Sequence, residues 1–453
     1  MEDTIAAIST PLGMGGIAIV RVSGPLALRI ADAVFRSTSG TPSQFPSHTI
    51  HYGKIEQGGQ VLDHVMLTVF HAPRSYTTED TIEINCHGGP LTAQSVLSCS
   101  LKHGARLAEP GEFTKRAFLN GRLDLTQAEA VMDLISARTQ RAQAVAARAL
   151  EGHLFRQIEA LRKNMTSLLA LVEAHLDFPE EEIPPIPFEQ LRVELDEHIA
   201  LLQTLLHTAR EGHILRHGIL VAIIGRPNVG KSSLMNALLG RDRSIVTPIP
   251  GTTRDSVEDI TVIGGFPIRL TDTAGYHNAR GMIESKGINR ALEVLEQADV
   301  ILHVIDRSRP FSQSDLDLIR LCSPKETIQV YNKIDLPSKL KAPDELRQHT
   351  SLDISALTGT GIDSLRTAIL QIITSGGAES TDLDIAVNER HTNLLSDALR
   401  SLFAAKEAHC NCQGSEILAH HIRLSLDATG EIIGKTTTED VLDQIFSNFC
   451  IGK

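Results

Sequence analysis

Apolar residues recur at intervals of three and four through the middle of the chain, and this spacing predicts long amphipathic helices. One series comprises Leu150, Leu154, Ile158, Leu161, Met165, Leu168, Val172 and Leu176. The prolines of DFPEEEIPPIP end it, because proline cannot continue a helix. A second helix is predicted from Leu191, Leu195, Ile199, Leu202 and Leu206. Thr126 followed by Glu129 predicts a capping box at the start of an earlier helix.

Short, continuously apolar runs predict buried parallel strands in the second half of the chain. The continuously apolar run is GILVAIIG, similar runs recur as IRLTD, VILHVID, TIQVYNK and SLDISAL, and helical patterns separate most of them. This alternation predicts βαβ units and a mostly parallel sheet. The N-terminal region instead combines strand-like runs with Gly and Pro turns, in GIAIVRVSG, HVMLTVF and DTIEINCHGG. This combination of strand-like runs and turns predicts an α+β domain.

These patterns together predict a multidomain α/β protein. The predicted domains are an N-terminal α+β domain over residues 1–118, a discontinuous helical domain over 119–216 and 377–453, and an α/β domain over 217–376. Helical patterns flank the α/β block, so we expect it to be inserted into the helical domain. Two separate helical pieces would give the same pattern.

Composition narrows the class of protein. The chain has 453 residues, 42% of them hydrophobic, which suits about three domains of ordinary size. No apolar run approaches the ~18–20 residues of a membrane span, and the N-terminus does not resemble a signal peptide. Six cysteines are too sparse for a disulfide framework, so we expect reduced thiols and a cytoplasmic location. The net charge of -12 argues against nucleic-acid binding by bulk charge, although a local basic patch remains compatible with RNA. The candidate patches are Lys115, Arg116 and Arg122, and Arg138, Arg141 and Arg148, and on charge alone we expect them to be solvated helix faces.

The stretch GRPNVGKS, from Gly225 to Ser232, predicts a phosphate-binding loop. It matches GxxxxGK[ST] and lies between a predicted strand and a predicted helix, as this loop requires. Glycines allow successive backbone N–H groups to surround phosphate oxygens. Lys231 would supply a point charge to the outer phosphates, and Ser232 a hydroxyl ligand to Mg²⁺.

Four further motifs follow in the order typical of a guanine-nucleotide-binding domain. TPIPGTTRD contains Thr252 and Thr253, one of which would ligate Mg²⁺ only when the γ-phosphate is present. DTAG places Asp272 at a strand end, where it can hold the Mg²⁺ shell, and Gly275 near the γ-phosphate. NKID supplies Asp335, which pairs with two guanine donors that adenine lacks, and SAL supplies a second base contact. The predicted GTP-binding residues are Asn228, Val229, Gly230, Lys231, Ser232, Ser233, Thr247, Thr252, Thr253, Asp272, Thr273, Ala274, Gly275, Asn332, Lys333, Asp335, Ser355 and Ala356.

The residues that would assist hydrolysis are not fixed by these motifs. Tyr276 stands where many GTPases carry a water-orienting glutamine, so another group must take this role, and Glu284 is a candidate. No arginine finger is evident. Asn228 could instead help to bind a monovalent cation, or Arg254 could supply the charge.

The two ends of the chain carry a family resemblance. GMGGIAIVRVSG, TIEINCHGGP, PGEFTKRAFLNGRLDL, GRPNVGKSSLMNAL, PGTTRD and the final FCIGK together resemble the MnmE (TrmE) family of bacterial tRNA-modification GTPases over essentially the whole chain. The resemblance implies a Ras-like P-loop GTPase domain inserted in the helical domain, and an N-terminal domain that binds tetrahydrofolate and forms a homodimer. It also implies a partner of the FAD-dependent MnmG family in a heterotetramer or larger complex. The two proteins would add an aminomethyl or carboxymethylaminomethyl group to C5 of the wobble uridine of certain tRNAs.

The resemblance also implies roles for individual residues. K⁺ would replace the arginine finger and be held by Asn228, Thr247, Ile249 and Thr252. Mg²⁺ would be held by Ser232 and Thr253, with Asp272 in its shell, and Glu284 would orient the attacking water. A 5-formyl- or methylene-tetrahydrofolate would contact Arg21, Glu83, Arg122 and Lys453. The family's position that matches Arg122 can carry lysine, and either residue keeps the positive charge although the two differ in contact geometry.

Cys450 lies fourth from the end, where it could be an accident of sequence, a lipid anchor or a reagent carried on a flexible arm. A prenyl anchor is disfavoured, because Gly452 is not aliphatic and Lys453 is not a usual prenylation terminus. We expect instead a nucleophile or acid–base thiol on a flexible tail, brought to the folate site across the dimer and anchored by Lys453. We hypothesise that its thiolate adds to C6 of the pyrimidine and so activates C5. The alternative function is an RNA-binding ribosome-assembly GTPase without covalent RNA chemistry.

Overall fold

The computed structural model describes residues 3–178, 187–240, 259–272, 294–322, 325–340, 350–374 and 385–453. The chain forms two compact units. The first comprises residues 1–132, 150–186 and 407–453, and the second residues 133–149 and 187–406. The boundaries of the three domains predicted above stay a prediction.

A seven-stranded sheet forms the core of the first unit, in the order β3-β4-β5-β6-β2-β1-β7. Its strands are β1 (Ile5–Ile8), β2 (Ile17–Ser23), β3 (Phe35–Arg36), β4 (Thr49–Gln57), β5 (Gln60–Phe70), β6 (Thr81–His87) and β7 (Arg106–Leu107). The three strand-like runs of the sequence correspond to β2, β5 and β6. Helices α1 (Ala27–Val34) and α2 (Pro90–Lys102) contact the sheet and bury apolar residues in the same core.

Helices complete the first unit. They are α3 (Glu112–Leu119), most of α4 (Leu125–Ser136), α6 (His153–Asp177), α13 (Ser415–Ile432) and α14 (Glu439–Ser447). Helices α6 and α13 run antiparallel, because Glu159 pairs with Lys435 at 2.7 Å whereas Glu173 pairs with Arg423 at 2.6 Å. The predicted apolar stripe of α6 is confirmed from Leu154 to Val172.

Two details of helix prediction were wrong. Leu150 ends the preceding helix α5 (Gln140–Leu150), and Gly152, with a φ of 79°, separates it from α6. The capping box at α4 is formed by Asp124 and Gln127. The Asp124 carboxylate accepts from the Gln127 N–H at 3.1 Å, and the Gln127 side chain accepts from the Asp124 N–H at 3.1 Å. Thr126 lies inside the helix, because the aspartate two residues earlier is the stronger acceptor.

The second unit contains a six-stranded sheet in the order β13-β12-β11-β8-β10-β9. Its strands are β8 (Ile219–Ile224), β9 (Asp259–Ile263), β10 (Phe266–Asp272), β11 (Val300–Asp306), β12 (Thr327–Asn332) and β13 (Thr350–Asp353). All pairs are parallel except β9–β10. The five predicted strands are therefore confirmed, and the antiparallel edge strand β9 was not predicted.

Helices of this unit come from both of its stretches of sequence. They are α5, α7 (Phe188–His207), α8 (Ala209–His217), α9 (Lys231–Leu239), α10 (Gln313–Cys322), α11 (Ile362–Thr374) and most of α12 (Glu389–Cys410). Helices α5 and α8 share the apolar core of the sheet, since Val145 and Leu215 lie in one buried cluster with Phe266. Arg141 of α5 is paired with the buried Glu211 of α8, and its guanidinium lies 4.7 Å from the centre of the Phe266 ring.

Candidate functional site

The loop between β8 and α9 has the backbone geometry of a phosphate-binding loop. Gly225 and Gly230 have φ values of 149° and 101°, in the region that favours glycine. A Cβ on Gly230 would lie 2.3 Å from Asn332 Nδ2, and one on Gly225 would lie 2.4 Å from the Val304 carbonyl oxygen. Both positions therefore require glycine for conformation and for space. Gly230 is also the N-cap of α9, so the positive end of the helix dipole faces the loop.

Lys231 points back into this loop. Its ammonium group donates to the carbonyl oxygens of Gly225, at 2.9 Å, and Arg226, at 3.0 Å, and the residue is buried. Ser232 and Ser233 follow in the first turn of α9 and are exposed. The loop, the lysine and the helix start thus lie together as the sequence predicted.

The guanine-recognition motifs pack directly against this loop. Asn332 Nδ2 donates to the Val229 carbonyl at 2.8 Å, and Asn332 Oδ1 accepts from the Ala356 N–H at 3.0 Å. Asn332 therefore joins the phosphate loop to the SAL loop. The Ser355 hydroxyl donates to Asp335 Oδ1 at 2.6 Å and orients a carboxylate that is itself exposed. An exposed, oriented carboxylate can accept the two donors of a guanine edge.

Asp306 is a residue of this site that the sequence analysis missed. It ends β11, is fully buried, and accepts from Lys333 Nζ at 2.7 Å. Burial raises the pKa of its carboxyl, but the hydrogen bonds from Lys333 and Ser308 outweigh burial and leave the pKa below its usual value. The sequence did contain one indication of this role, because Asp306 ends an apolar strand. In the structure Asp306 lies opposite Asn332 on the parallel strand β12.

Several predicted site residues lie outside the described residues. They are Thr247, Ile249, Thr252, Thr253, Thr273, Ala274, Gly275 and Glu284. Asp272 is the last residue of β10, which is parallel to β8, so its backbone lies at the same sheet edge as the phosphate loop. The proposed roles of all of these residues stay predictions.

A second candidate site lies in the first unit, in a cleft of about 470 Å³. It is lined by His48, Phe70, Arg74, Ser75, Tyr76, Thr81, Glu83 and Arg122. Two of the four predicted folate contacts, Glu83 and Arg122, therefore border one cavity. Arg122 lies 5.6 Å from the centre of the Tyr76 ring and donates to the Ser75 carbonyl.

Arg21 contacts both a residue that lines this cleft and the C-terminal tail. It pairs with Glu83 at 2.8 Å across neighbouring strands, and its guanidinium lies 5.6 Å from the Tyr76 ring centre. It also donates to the Gly452 carbonyl at 3.4 Å. Burial lowers the pKa of Lys453, and the positive charge of Arg21 lowers it further, while Glu83 and Cys450 act in the opposite direction. All four predicted folate contacts are thus connected.

The expectation of a flexible tail reaching across a dimer differs from the structure. Ile451 forms an antiparallel bridge with Pro110, and the Phe113 N–H donates to the Lys453 carbonyl at 3.2 Å, both within the same chain. Gly452 has a φ of 95°, and a Cβ there would lie 2.4 Å from the Ile8 carbonyl. The tail is held because its backbone groups find partners between Pro110 and Phe113, at the start of α3, and Cys450 itself remains exposed.

Several residues of the predicted basic patches form ion pairs with specific carboxylates. Arg116 is fully buried and pairs with Asp3, Glu79 and Glu112 at 2.8 to 3.1 Å. Lys115 pairs with Asp443 at 2.5 Å, and Arg141 with Glu211. Arg116 is therefore an internal counter-ion rather than part of the solvated helix face that we expected.

Comparison with known proteins identifies the family. The family model for the MnmE helical domain matches residues 125–450, and that for the GTP-binding protein TrmE N-terminus matches residues 4–122. The chain belongs to the MnmE family. It is 45% identical over 456 residues to the tRNA modification GTPase MnmE of Geobacter sulfurreducens and 44% identical over 459 residues to that of Bacillus subtilis, with 100% of both chains covered in each case.

Solved structures are similar over a smaller part of the MnmE-family chain. The Era protein of Aquifex aeolicus bound to GDP and AlF4⁻ is 28% identical, with 41% of this chain and 67% of that chain covered and a TM-score of 0.27. The G domain of the FeoB iron transporter of T. maritima is 29% identical, with 34% and 98% covered and a TM-score of 0.27. In the described part of the chain, no helix is long and apolar enough to span a membrane.

Proposed function

We propose that this chain is a GTP-hydrolysing enzyme of tRNA modification. Similarity to tRNA modification GTPases along the entire chain supports this function, because both the nucleotide motifs and the two chain ends are covered. The observation that carries the proposal is the assembly around one loop of Gly230, Lys231, Asn332 and Asp335. These residues come from two separated motifs and meet at the carboxyl ends of parallel strands, where α/β sheets bind ligands.

The residues present fit GTP and Mg²⁺. Gly225 and Gly230 leave no room for a Cβ, and backbone N–H groups next to a helix N-terminus suit phosphate. Lys231 would exchange its carbonyl partners for phosphate oxygens, and Asp335 would accept from guanine. Ser232 and Thr253 would ligate Mg²⁺, with Asp272 in its shell. Bound Mg²⁺ neutralises charge on the phosphates during hydrolysis.

We assign K⁺ to Asn228 together with Thr247, Ile249 and Thr252, and the orientation of the attacking water to Glu284. Asn228 is exposed at the tip of the loop in a left-handed conformation with a φ of 65°. An amide oxygen held there is a suitable ligand for a hard cation beside the phosphates.

The N-terminal cleft fits a tetrahydrofolate derivative, such as its 5-formyl or methylene form. A polar, aromatic heterocycle suits a cavity that presents the Tyr76 ring, the Arg21–Glu83 pair and the Arg122 guanidinium. Lys453 would add a further cation. The bound folate supplies the carbon unit. Cys450, exposed at the tail, would act as the nucleophile or acid–base thiol toward the uridine.

We further propose that the protein forms a homodimer through exposed apolar residues on one face of the N-terminal sheet. Ile17, Ile50, Tyr52 and Met66 lie on this face and are 45% to 65% exposed. Tyr52 and Met66 are paired neighbours on β4 and β5, so the apolar surface is continuous there. A second copy would cover it isologously. An FAD-dependent partner of the MnmG family and tRNA would complete a cytoplasmic complex that adds the aminomethyl-type group to C5 of the wobble uridine.

The experiment that tests this function has two readouts. Cells lacking the protein should lose the C5-modified wobble nucleosides detected by mass analysis, and the purified protein should hydrolyse GTP faster in K⁺ than in Na⁺ at equal ionic strength. Cys450→Ser should hydrolyse GTP and fail to restore the modification. Unchanged wobble nucleosides in the deletion strain would favour the ribosome-assembly GTPase instead.

A further inference from the structure

Asp306 is a buried charge in the nucleotide-binding unit that none of the roles above uses. Its side chain is fully buried at the end of β11. Burying a carboxylate is costly unless a cation and hydrogen bonds compensate it. The compensation here is specific, since Lys333 Nζ lies 2.7 Å from Oδ2, and the N–H and hydroxyl of Ser308 donate to Oδ1 at 2.9 and 2.6 Å.

Lys333 extends this contact to the phosphate loop. The same ammonium group donates to the Asn228 carbonyl oxygen at 2.9 Å. It therefore bridges a buried carboxylate on β11 and the tip of the loop. Lys333 itself has a φ of 69°, an uncommon conformation for a residue other than glycine. A strained backbone of this kind persists only when its surroundings hold it in place.

Asn228, which Lys333 contacts, also has a backbone conformation that is uncommon for a residue other than glycine. Its φ of 65° lies in the left-handed region, its carbonyl accepts from Lys333, and this backbone conformation fixes the direction of its Cα–Cβ bond. Lys333 is partly exposed, so without a counter-ion its ammonium group would be free to turn to water and release the Asn228 carbonyl. The buried carboxylate is the element that keeps the bridge formed.

We propose that Asp306 is a positioning residue for the monovalent-cation site. It fixes Lys333, and through Lys333 it holds Asn228 in the conformation that presents its side chain to K⁺. This inference rests on the proposed function, in which Asn228 ligates K⁺ during GTP hydrolysis. Because Asp306 is fully buried and acts through Lys333, its effect is on the K⁺ dependence of hydrolysis more than on nucleotide binding.

Asp306→Asn is the informative substitution. The amide oxygen retains an acceptor for Ser308, whereas the amide nitrogen would face the Lys333 ammonium and cannot accept from it. Ser308→Ala is the matched control, because it removes the 2.6 Å hydroxyl bond to Asp306 and leaves the Asp306–Lys333 pair intact. Asp306→Ser, which also removes the counter-ion, serves where the asparagine variant is not recovered folded.

The measurement is the GTP hydrolysis rate of the full chain as K⁺ replaces Na⁺ at constant ionic strength, beside GDP affinity. We expect the K⁺ concentration for half-maximal rate to rise about tenfold in Asp306→Asn, a typical coupling between sites. GDP affinity should fall by a smaller factor, because Lys333 is only one of several groups at the nucleotide site, and Ser308→Ala should match wild type. An unchanged K⁺ midpoint in both Asp306 variants overturns the inference, as does an equal shift in Ser308→Ala. Equal wild-type rates in K⁺ and Na⁺ contradict the proposed function itself and remove the inference with it.

Discussion

The two candidate sites differ in how sequence produces them. The nucleotide site is built from short contiguous motifs, whose members lie close because parallel strands end at one edge of the sheet. The N-terminal cleft joins Arg21, Glu83, Arg122 and Lys453, which lie on separate elements across the whole length of the chain. A local motif can be recognised from spacing, whereas a site assembled from distant segments depends on every element that brings them together.

The largest effect should come from the buried cation beneath the N-terminal cleft. Replacing Arg116 with methionine leaves the carboxylates of Asp3, Glu79 and Glu112 without their shared partner, and we expect a loss of about 3 kcal/mol or more in unfolding free energy. Urea denaturation of both proteins measures it. Lys115→Met, which removes a more exposed pair with Asp443, should cost under about 1 kcal/mol. Equal losses in the two variants would contradict the role of burial.

This network also predicts a pH dependence. Burial raises the pKa of Asp3 and Glu112, but their bonds to Arg106 and Arg116 outweigh burial and hold both pKa values below the usual ones. Their stabilising contribution is therefore present above the unfolded-state pKa values and is lost as the pH falls through the lowered ones. The melting temperature should fall steeply below about pH 4 in wild type and less steeply in Arg116→Met. Parallel profiles would show that these carboxylates are not coupled to Arg116.

The next effect tests the local construction of the nucleotide site. In Gly230→Ala the new Cβ would meet Asn332 Nδ2 at 2.3 Å, so we expect GDP affinity to fall about a hundredfold, since strain and collision together cost about 3 kcal/mol. Isothermal titration measures this affinity. Gly359→Ala is the control, because its φ of 81° is similar and no atom lies within 4 Å of the added Cβ. A similar loss in both variants would attribute the effect to φ alone.

The same difference explains what the sequence could and could not predict. The strands β8, β10, β11, β12 and β13 were predicted from short apolar runs that alternate with helical patterns, although β8 is apolar throughout whereas β13 is largely exposed. The two-residue strands β3 and β7 are too short to carry a period, so they depend on their neighbours for pairing. Asp306 was missed because its importance depends on Lys333, which is 27 residues away in sequence. The docked tail was missed because its partners lie near the opposite end of the chain.

Docking of the tail gives a third test, of intermediate size. Gly452→Ala should displace the tail from Ile8, since the φ of 95° and a 2.4 Å approach both exclude a Cβ. We expect affinity for a tetrahydrofolate derivative to fall about tenfold, the loss of one or two polar contacts, while GDP affinity stays unchanged. Fluorescence titration of each ligand separates the two sites. Gly414→Ala, with a φ of 102° and open space, is the control.

The smallest effect concerns the cysteines and asks whether the tail thiol is reachable. Burial, with the charge of Asp63, raises the pKa of the Cys86 thiol to about 11, so only about one in a thousand would be ionised at pH 8. Cys450 is exposed, as are Cys410 and Cys412. Brief alkylation of the folded chain at pH 8, followed by peptide mass analysis, should therefore label Cys450 and leave Cys86 unmodified.

In Gly452→Ala the labelling of Cys450 should rise by about twofold to threefold relative to Cys410, because a released tail is more mobile than a paired one. Slower labelling of Cys450 than of Cys86 in wild type would place the thiol in the interior and contradict its proposed role as a group presented to a large substrate.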